Sequence, residues 1–146
     1  MIGPGSLAKV KNVFVLMLEN HSFDNIFAMS GIEGIHAATT KDWNSYLDGL
    51  HHVKASAPPS MTTDPGHEFD DVLDQLCGKH AADAFAGGCY PPVNNCGFAS
   101  SYATSTSEGT GAPKKGHIGD IMACFDTPKC LPVIHKLATE YAICDH

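Results

Sequence analysis

The chain has 146 residues, a net charge of −7 with histidine counted as neutral, and 43% hydrophobic residues, which suits a single domain with a real core. Only nine residues are Lys or Arg. The clustered positive charge on which nucleic-acid binding depends is therefore missing, and nucleic acid is excluded as a partner.

No stretch of the sequence approaches the roughly 18 consecutive apolar residues of a membrane-spanning helix, so no transmembrane segment is predicted. The six cysteines are even in number and lie in loop-rich sequence. This pattern favours disulfides and a secreted or periplasmic protein, although the sequence contains no recognisable secretory leader. Reduced thiols, partly buried as small apolar side chains, are the alternative.

The first predicted element is a strand over residues 13–18, a continuous run of apolar residues. Unbroken apolar character is typical of an interior strand in a parallel sheet that is covered on both faces. The run stops abruptly at Glu19 and Asn20. Ser22 then predicts the N-cap of a helix over residues 23–29. A strand followed at once by a helix predicts an α/β fold, in which ligands bind at the carboxyl ends of the strands.

Two further elements follow in the first half of the chain. Residues 43–53 predict a hairpin that turns at Asp48 and Gly49. Asp64 is the predicted N-cap of the next helix, whose apolar positions recur at helical spacing as far as Leu76, and Gly78 predicts its end.

The second half of the chain is less regular at first. Residues 87–116 are rich in Gly, Ser, Thr and Asn and predict a long irregular segment. A short helix is predicted within residues 118–125, and a longer helix with an apolar stripe over residues 131–142. Residues 142–144 resemble the start of another strand.

Glu19 and Asn20 are the candidate metal ligands. A carboxylate beside an amide carbonyl offers two hard oxygen ligands, which suit a divalent metal ion. Neighbouring side chains on an extended chain point to opposite sides, so both can reach one ion only if the chain bends there. The alternative is that Asn20 caps the helix and Glu19 is a solvated charge.

His67 is the candidate catalytic residue. We expect it in the first turn of its helix, where free main-chain N–H groups and the helix dipole favour an anion such as a phosphate. Taken alone, an exposed histidine at the start of a helix is the simpler interpretation.

Residues 11–24, with Glu-Asn-His-Ser-Phe-Asp at 19–24, resemble the opening block of the bacterial and fungal phosphoesterase family. That family includes non-haemolytic phospholipases C and a class of acid phosphatases. Three further blocks are similar to the family's and lie in the family's order: residues 64–67, 94–98 and 131–145.

The resemblance implies the amino-terminal part of an alkaline-phosphatase-like three-layer α/β/α fold with a mainly parallel sheet. It implies that Glu19 and Asn20 bind a divalent metal and that His67 lines the phosphate pocket. The family's hydroxyl nucleophile lies in a Gly-Pro-Thr/Ser block that these 146 residues do not contain. We therefore expect residues 1–146 to be one portion of a single phosphoesterase domain, truncated and inactive alone.

The predicted function is metal-dependent hydrolysis of phosphate esters, either phospholipids or small phosphomonoesters. Two alternatives stay open. One is a non-catalytic binding or structural module with the same partial fold. The other is a small secreted protein stabilised by disulfides, in which the Glu-Asn pair only caps a helix.

Overall fold

A computed structural model describes residues 11–17, 20–85, 88–105 and 111–145. The elements are, in chain order, α1 (Phe23–Phe27), β1 (Trp43–Tyr46), β2 (Gly49–His52), β3 (Lys54–Ala55), α2 (Phe69–Cys77), α3 (Ala81–Phe85), α4 (Phe98–Ala103), a 3₁₀ helix (Ile118–Met122), β4 (Ala123–Cys124), α5 (Thr127–Cys130) and α6 (Pro132–Glu140).

The strands form two small sheets. β1 and β2 pair as an antiparallel hairpin, while β3 and β4 pair in parallel over two residues each. The fold is thus a mixture of helices and strands with one parallel pair among the described residues.

The core lies where the parallel pair meets α1. Val53, Met122 and Cys124 form a buried cluster. Phe98 and Ile121 are among the partly buried side chains that pack against it. Residues distant in sequence thus surround the two-residue strand β4, and burial of their apolar surface favours this arrangement.

Several sequence predictions are confirmed. Ser22 is the N-cap of α1, and its hydroxyl accepts a hydrogen bond from the Asn25 N–H at 3.1 Å. The 43–53 hairpin forms. Gly78 ends α2 in the left-handed region, at φ 94°, where glycine avoids the penalty of a Cβ. The long helix near residue 131 forms as α6.

The predicted interior strand is wrong for residues 13–17. These residues form no strand, and their side chains are exposed, with Phe14 95% accessible. Leu18, the last residue of the predicted strand, lies outside the described residues. An interior strand needs a hydrogen-bonded neighbour on each side, and the four described strands pair with one another instead.

Three boundaries also differ from prediction. The two residues of the hairpin loop are Leu47 and Asp48, because Tyr46 pairs with Gly49. Helix α2 begins at Phe69 and has Glu68 rather than Asp64 as its N-cap. The Asp71 carboxylate accepts a hydrogen bond from the Glu68 N–H at 3.2 Å, so the acidic residues of the first turn determine the start of the helix.

Two predictions about irregular segments are also wrong. Residues 87–116 include helix α4, so this segment is not irregular throughout. Residues 142–144 form no strand.

All six cysteines lie among the described residues and are unpaired, so the disulfide prediction finds no support. No helix in the described ranges is both long and apolar enough to cross a membrane.

Candidate functional site

The turn that precedes α1 contains a left-handed residue. Asn20 has φ 67° and is exposed, a conformation that asparagine tolerates better than most residues. Two neighbouring ligands need a bend in the chain in order to face one ion, and a left-handed residue is one way to make such a bend. Glu19, the other candidate ligand, lies outside the described residues.

Asn25 ties this turn to the rest of the molecule. Its side-chain N–H donates to the main-chain carbonyl of Ala123 in β4 at 2.8 Å, and its own carbonyl accepts from the Phe125 N–H at 2.8 Å. Its side-chain oxygen lies 2.7 Å from Nδ1 of His21. The position of the turn is therefore set by residues nearly a hundred positions later in the chain.

A cleft of about 640 Å³ opens beside α1 and β4. Its lining comes from α1, β1, α2, α4, the 3₁₀ helix, β4 and neighbouring loops. It includes Ser22, Asp24, Asn25, Lys41, Asp42, Trp43, Asn44, Asn94, Asn95, Phe98 and Cys124. Asn20 and His67 are not among the residues that line it. A cleft of this size suits a small-molecule ligand.

Two carboxylates give the cleft its acidic character. Asp24 accepts a hydrogen bond from the Ala38 N–H at 2.9 Å. Asp42 accepts from the N–H and the hydroxyl of Thr39, at 2.7 Å and 2.9 Å. These donors stabilise the charged form and lower the pKa of Asp42, the main-chain bond more than the hydroxyl bond. Lys41 is the single cationic side chain among the described lining residues, so a phosphate would need further positive charge there.

Asn44 connects the walls of the cleft. It is buried in β1, donates to the main-chain carbonyl of Asn95 at 2.9 Å and accepts from the Ala99 N–H at 3.2 Å. No motif or spacing in the sequence pointed to Asn44 or Asn25. An asparagine in a strand or a short helix has no local pattern that reveals a distant partner.

His67 lies before α2, not in its first turn as predicted, and is exposed. The loop that carries it is well held, because the Gln75 amide donates to the carbonyl of Gly66 at 2.6 Å. Gly66 is buried, and a Cβ there would lie 2.3 Å from Cγ of Asp71. The structure thus positions His67 on a close-packed loop but does not bring it to the cleft lining.

Cys124 is the one cysteine that reaches the cleft lining. Burial raises the pKa of its thiol to about 11, and the nearby charge of Asp24 adds to this effect. The thiol is therefore protonated at neutral pH, which argues against a role as nucleophile.

The donor set fits a hard divalent ion in type but is incomplete. No three His, Cys, Asp or Glu side chains gather as a metal site within the described part of the chain. The Asn20 carbonyl oxygen and the Glu19 carboxylate are the expected kind of ligand for such an ion. Further ligands would be needed to complete its coordination.

Comparison with known proteins gives a consistent result. The chain is similar to non-specific phospholipase C3 and non-specific phospholipase C4 of Arabidopsis thaliana, at 26% and 28% identity over 98% of the chain in each case. It is also 26% identical, over 97% of its length, to phospholipase C A of Mycobacterium tuberculosis. The chain spans 26–27% of the length of these relatives.

No solved structure gives a significant match. The model of the phosphoesterase family matches residues 10–146, a range that includes the Glu-Asn-His-Ser-Phe-Asp block, the left-handed turn at Asn20 and every residue that lines the cleft. The chain therefore belongs to the phosphoesterase family.

Proposed function

We propose that this chain is part of a metal-dependent phosphoesterase of the phospholipase C or acid phosphatase type. The observation that carries the proposal is the family match over residues 10–146, together with relatives that are named phospholipases C. The proposed complete fold is the alkaline-phosphatase-like three-layer α/β/α arrangement, of which the parallel pair β3–β4 would form a part.

The proposed metal ligands are Glu19 and Asn20. The left-handed backbone of Asn20 supports this assignment, because it supplies the bend that adjacent ligands require. When bound, a divalent ion supplies positive charge that stabilises the transferring phosphoryl group.

His67 is proposed as the residue that contacts the phosphate. His67 lies before α2, so the argument from the free N–H groups of a helix start no longer applies. The role therefore rests on the resemblance of residues 64–67 to the family. The Gln75–Gly66 hydrogen bond supports it in one respect, because a catalytic side chain needs a rigid loop.

The proposed substrate is a phosphate ester, either a phospholipid or a small phosphomonoester. The relatives' names favour a phospholipid. Secretion or a periplasmic location is proposed as well, from the even number of cysteines and the loop-rich composition, although the unpaired cysteines of the structure add no support to it.

The test measures release of p-nitrophenol from p-nitrophenyl phosphate and from p-nitrophenyl phosphorylcholine, with and without added divalent metal. It uses the protein expressed from its natural reading frame, and residues 1–146 alone. We expect metal-stimulated turnover from the natural product. If residues 1–146 are only part of it, we expect none from them alone, since they lack the family's hydroxyl block.

Glu19→Ala tests the metal assignment. Losing a charged ligand removes on the order of several kcal/mol of transition-state stabilisation, which is at least about a hundredfold in turnover. Glu33→Ala is the control, because Glu33 is an exposed carboxylate outside the Glu-Asn pair and is expected to keep full turnover. Equal turnover in both variants contradicts the metal assignment, and absence of turnover in every form contradicts the function.

A further inference from the structure

We propose that an aromatic patch, formed by the rings of Phe69, Phe85 and Tyr90, docks onto the surface of a zwitterionic phospholipid bilayer. None of these three described residues lines the cleft. The inference rests on the proposed function, because a phospholipid substrate is held in such a surface. It adds the contact through which the protein would reach that surface.

The three rings contact one another. The ring centroids of Phe85 and Tyr90 lie 4.6 Å apart, and those of Phe69 and Phe85 lie 5.2 Å apart. The centroids of Phe69 and Tyr90 are separated by 6.4 Å. These separations lie in the range typical of interacting aromatic pairs, about 4.5–7 Å. The rings therefore form one continuous surface.

Much of this surface is open to solvent. Phe69 is 52% exposed and Tyr90 is 69% exposed, although each contacts two other rings. Val72 is 40% exposed and follows Phe69 by three positions in α2, so it extends the same face of the helix. Leu73, the next residue, is buried. Helix α2 thus uses one side of its apolar stripe for packing and leaves the other uncovered, which is typical of an interaction site.

Main-chain hydrogen bonds hold the patch in place. The Gly88 N–H donates to the carbonyl of Phe85 at 2.7 Å, which keeps the residues just before Tyr90 beside Phe85. The Asn94 N–H donates to the carbonyl of Leu76 at 2.9 Å, which ties the loop after Tyr90 to the end of α2. A surface fixed in this way loses little conformational freedom when it binds, and this preorganisation favours binding.

The charges around the patch are mostly negative. Residues 68–90 contain five Asp or Glu and a single Lys or Arg, Lys79. Glu68 and Asp70 flank Phe69 and are exposed. Asp83 in α3 has 84% of its side chain accessible. An anionic bilayer is repelled by these carboxylates, whereas a cationic group at the surface of a bilayer is attracted to them.

A quaternary ammonium group suits both features of this surface. The carboxylates attract its charge, and the exposed face of an aromatic ring binds it through a cation–π interaction. Tyr90 also combines an apolar ring with a polar hydroxyl, a combination that is enriched where headgroups meet hydrocarbon. A phosphatidylcholine bilayer presents ammonium groups above an apolar interior. It therefore matches the patch in both charge and polarity.

The experiment measures co-sedimentation of the protein expressed from its natural reading frame with vesicles of phosphatidylcholine and, separately, of phosphatidylglycerol, which is anionic. A metal chelator is present throughout, so that metal-dependent hydrolysis does not consume the lipid. We expect binding to phosphatidylcholine. Binding to phosphatidylglycerol should be weaker at low salt and should increase as salt screens the repulsion. A fluorescent oligolysine peptide tests the same surface for a basic protein partner.

Tyr90→Ser removes the most exposed ring of the patch. We expect it to weaken binding to phosphatidylcholine vesicles about tenfold, because apolar burial and the cation–π contact are both lost. Tyr141→Ser is the matched control. Tyr141 is 74% exposed and is the C-cap of α6, where Lys136 and Glu140 form an ion pair at 3.7 Å. Its substitution should leave vesicle binding unchanged.

Two further variants keep the test decisive if Tyr90→Ser does not fold. Tyr90→Phe keeps the ring and its packing against Phe85, so it should retain most of the binding to phosphatidylcholine. Asp83→Asn removes one exposed carboxylate with little change in size. It should raise binding to phosphatidylglycerol relative to phosphatidylcholine, and an unchanged ratio contradicts the charge argument.

Several outcomes overturn the inference. Equal losses in Tyr90→Ser and Tyr141→Ser indicate general apolar adhesion. Stronger binding to phosphatidylglycerol than to phosphatidylcholine at low salt contradicts the charge match. Absence of binding to phosphatidylcholine, or binding that Tyr90→Ser leaves unchanged, removes the docking role. If oligolysine then binds in a Tyr90-dependent manner, the partner is a basic protein instead.

The p-nitrophenol assay decides the proposed function separately, because vesicle binding is measured without turnover. A protein that binds phosphatidylcholine vesicles through Tyr90 but releases no p-nitrophenol contradicts the function and supports the docking. A protein that releases p-nitrophenol but does not bind these vesicles contradicts the docking alone.

Discussion

Asn44 and Asn95 join two walls of the cleft through one hydrogen bond, from the Asn44 side-chain amide to the Asn95 main-chain carbonyl at 2.9 Å. Asn95 has a left-handed backbone, with φ 54°. The same Asn44 side chain accepts from the Ala99 N–H at the start of α4. One buried amide therefore fixes the position of the hairpin relative to the start of α4.

We predict that Asn44→Leu destabilises the protein by about 1–3 kcal/mol, because it leaves main-chain polar groups of Asn95 and Ala99 without partners. Chemical denaturation monitored by circular dichroism measures the change. Ser45→Ala, an exposed change at the next position of β1, should stay within about 0.5 kcal/mol. Similar stability in the two variants would show that the amide does not hold the cleft together.

Gly97 is required by the close approach of two backbones. A Cβ at this position would lie 1.7 Å from the main-chain oxygen of Asp74, so α2 and the start of α4 would have to separate. We predict that Gly97→Ala costs at least about 1–3 kcal/mol, the usual range for overpacking. Thr104→Ser at the other end of α4 keeps its hydroxyl and is the control. A thermal midpoint for Gly97→Ala equal to that of the control would contradict the prediction.

Asp42 makes stability depend on pH. Its pKa is lower in the folded protein than the value of about 3.9 for an unfolded aspartate. Its contribution is therefore fully present above about pH 4 and is lost as the pH falls through the folded pKa. We expect the stability difference between the unaltered protein and Asp42→Ala to shrink below about pH 4.

Denaturation curves at several pH values between neutrality and about pH 2 test this expectation. Thr39→Val removes the hydroxyl donor but keeps the main-chain donor, so it should weaken the pH dependence without abolishing it. A difference between the unaltered protein and Asp42→Ala that stays constant over the whole range would rule out this linkage.

The exposed apolar side chains of α6 and of its C-cap, Tyr141, predict self-association. Val133, Leu137 and Tyr141 are 71%, 53% and 74% exposed, and apolar patches of this kind favour association. We expect the apparent mass in light scattering after size exclusion to rise with protein concentration, and Leu137→Lys to reduce the rise. Thr139→Lys adds the same charge at an exposed polar position and should have less effect. Equal effects would attribute the change to net charge alone.

The amino-acid sequence alone determined the elements whose signals are local. Ser22 caps α1 because its hydroxyl reaches an N–H three residues later. Gly78 ends α2 because the backbone there needs positive φ. The hairpin was predictable as well, although its loop is shifted by one residue. The Glu-Asn-His-Ser-Phe-Asp block led to the family through resemblance alone, and the match over residues 10–146 agrees with it.

Tertiary structure decided everything that depends on a distant partner. An apolar run such as 13–17 can form an interior strand only where neighbouring strands are present, and in this structure it is exposed instead. The side-chain amide of Asn25 donates a hydrogen bond to the carbonyl of Ala123, and that of Asn44 donates to the carbonyl of Asn95. No local spacing in the sequence encodes these contacts. The roles of Glu19, Asn20 and His67 remain predictions. The cleft itself exists because separate segments pack around β4, and this packing depends on burial summed over the whole chain.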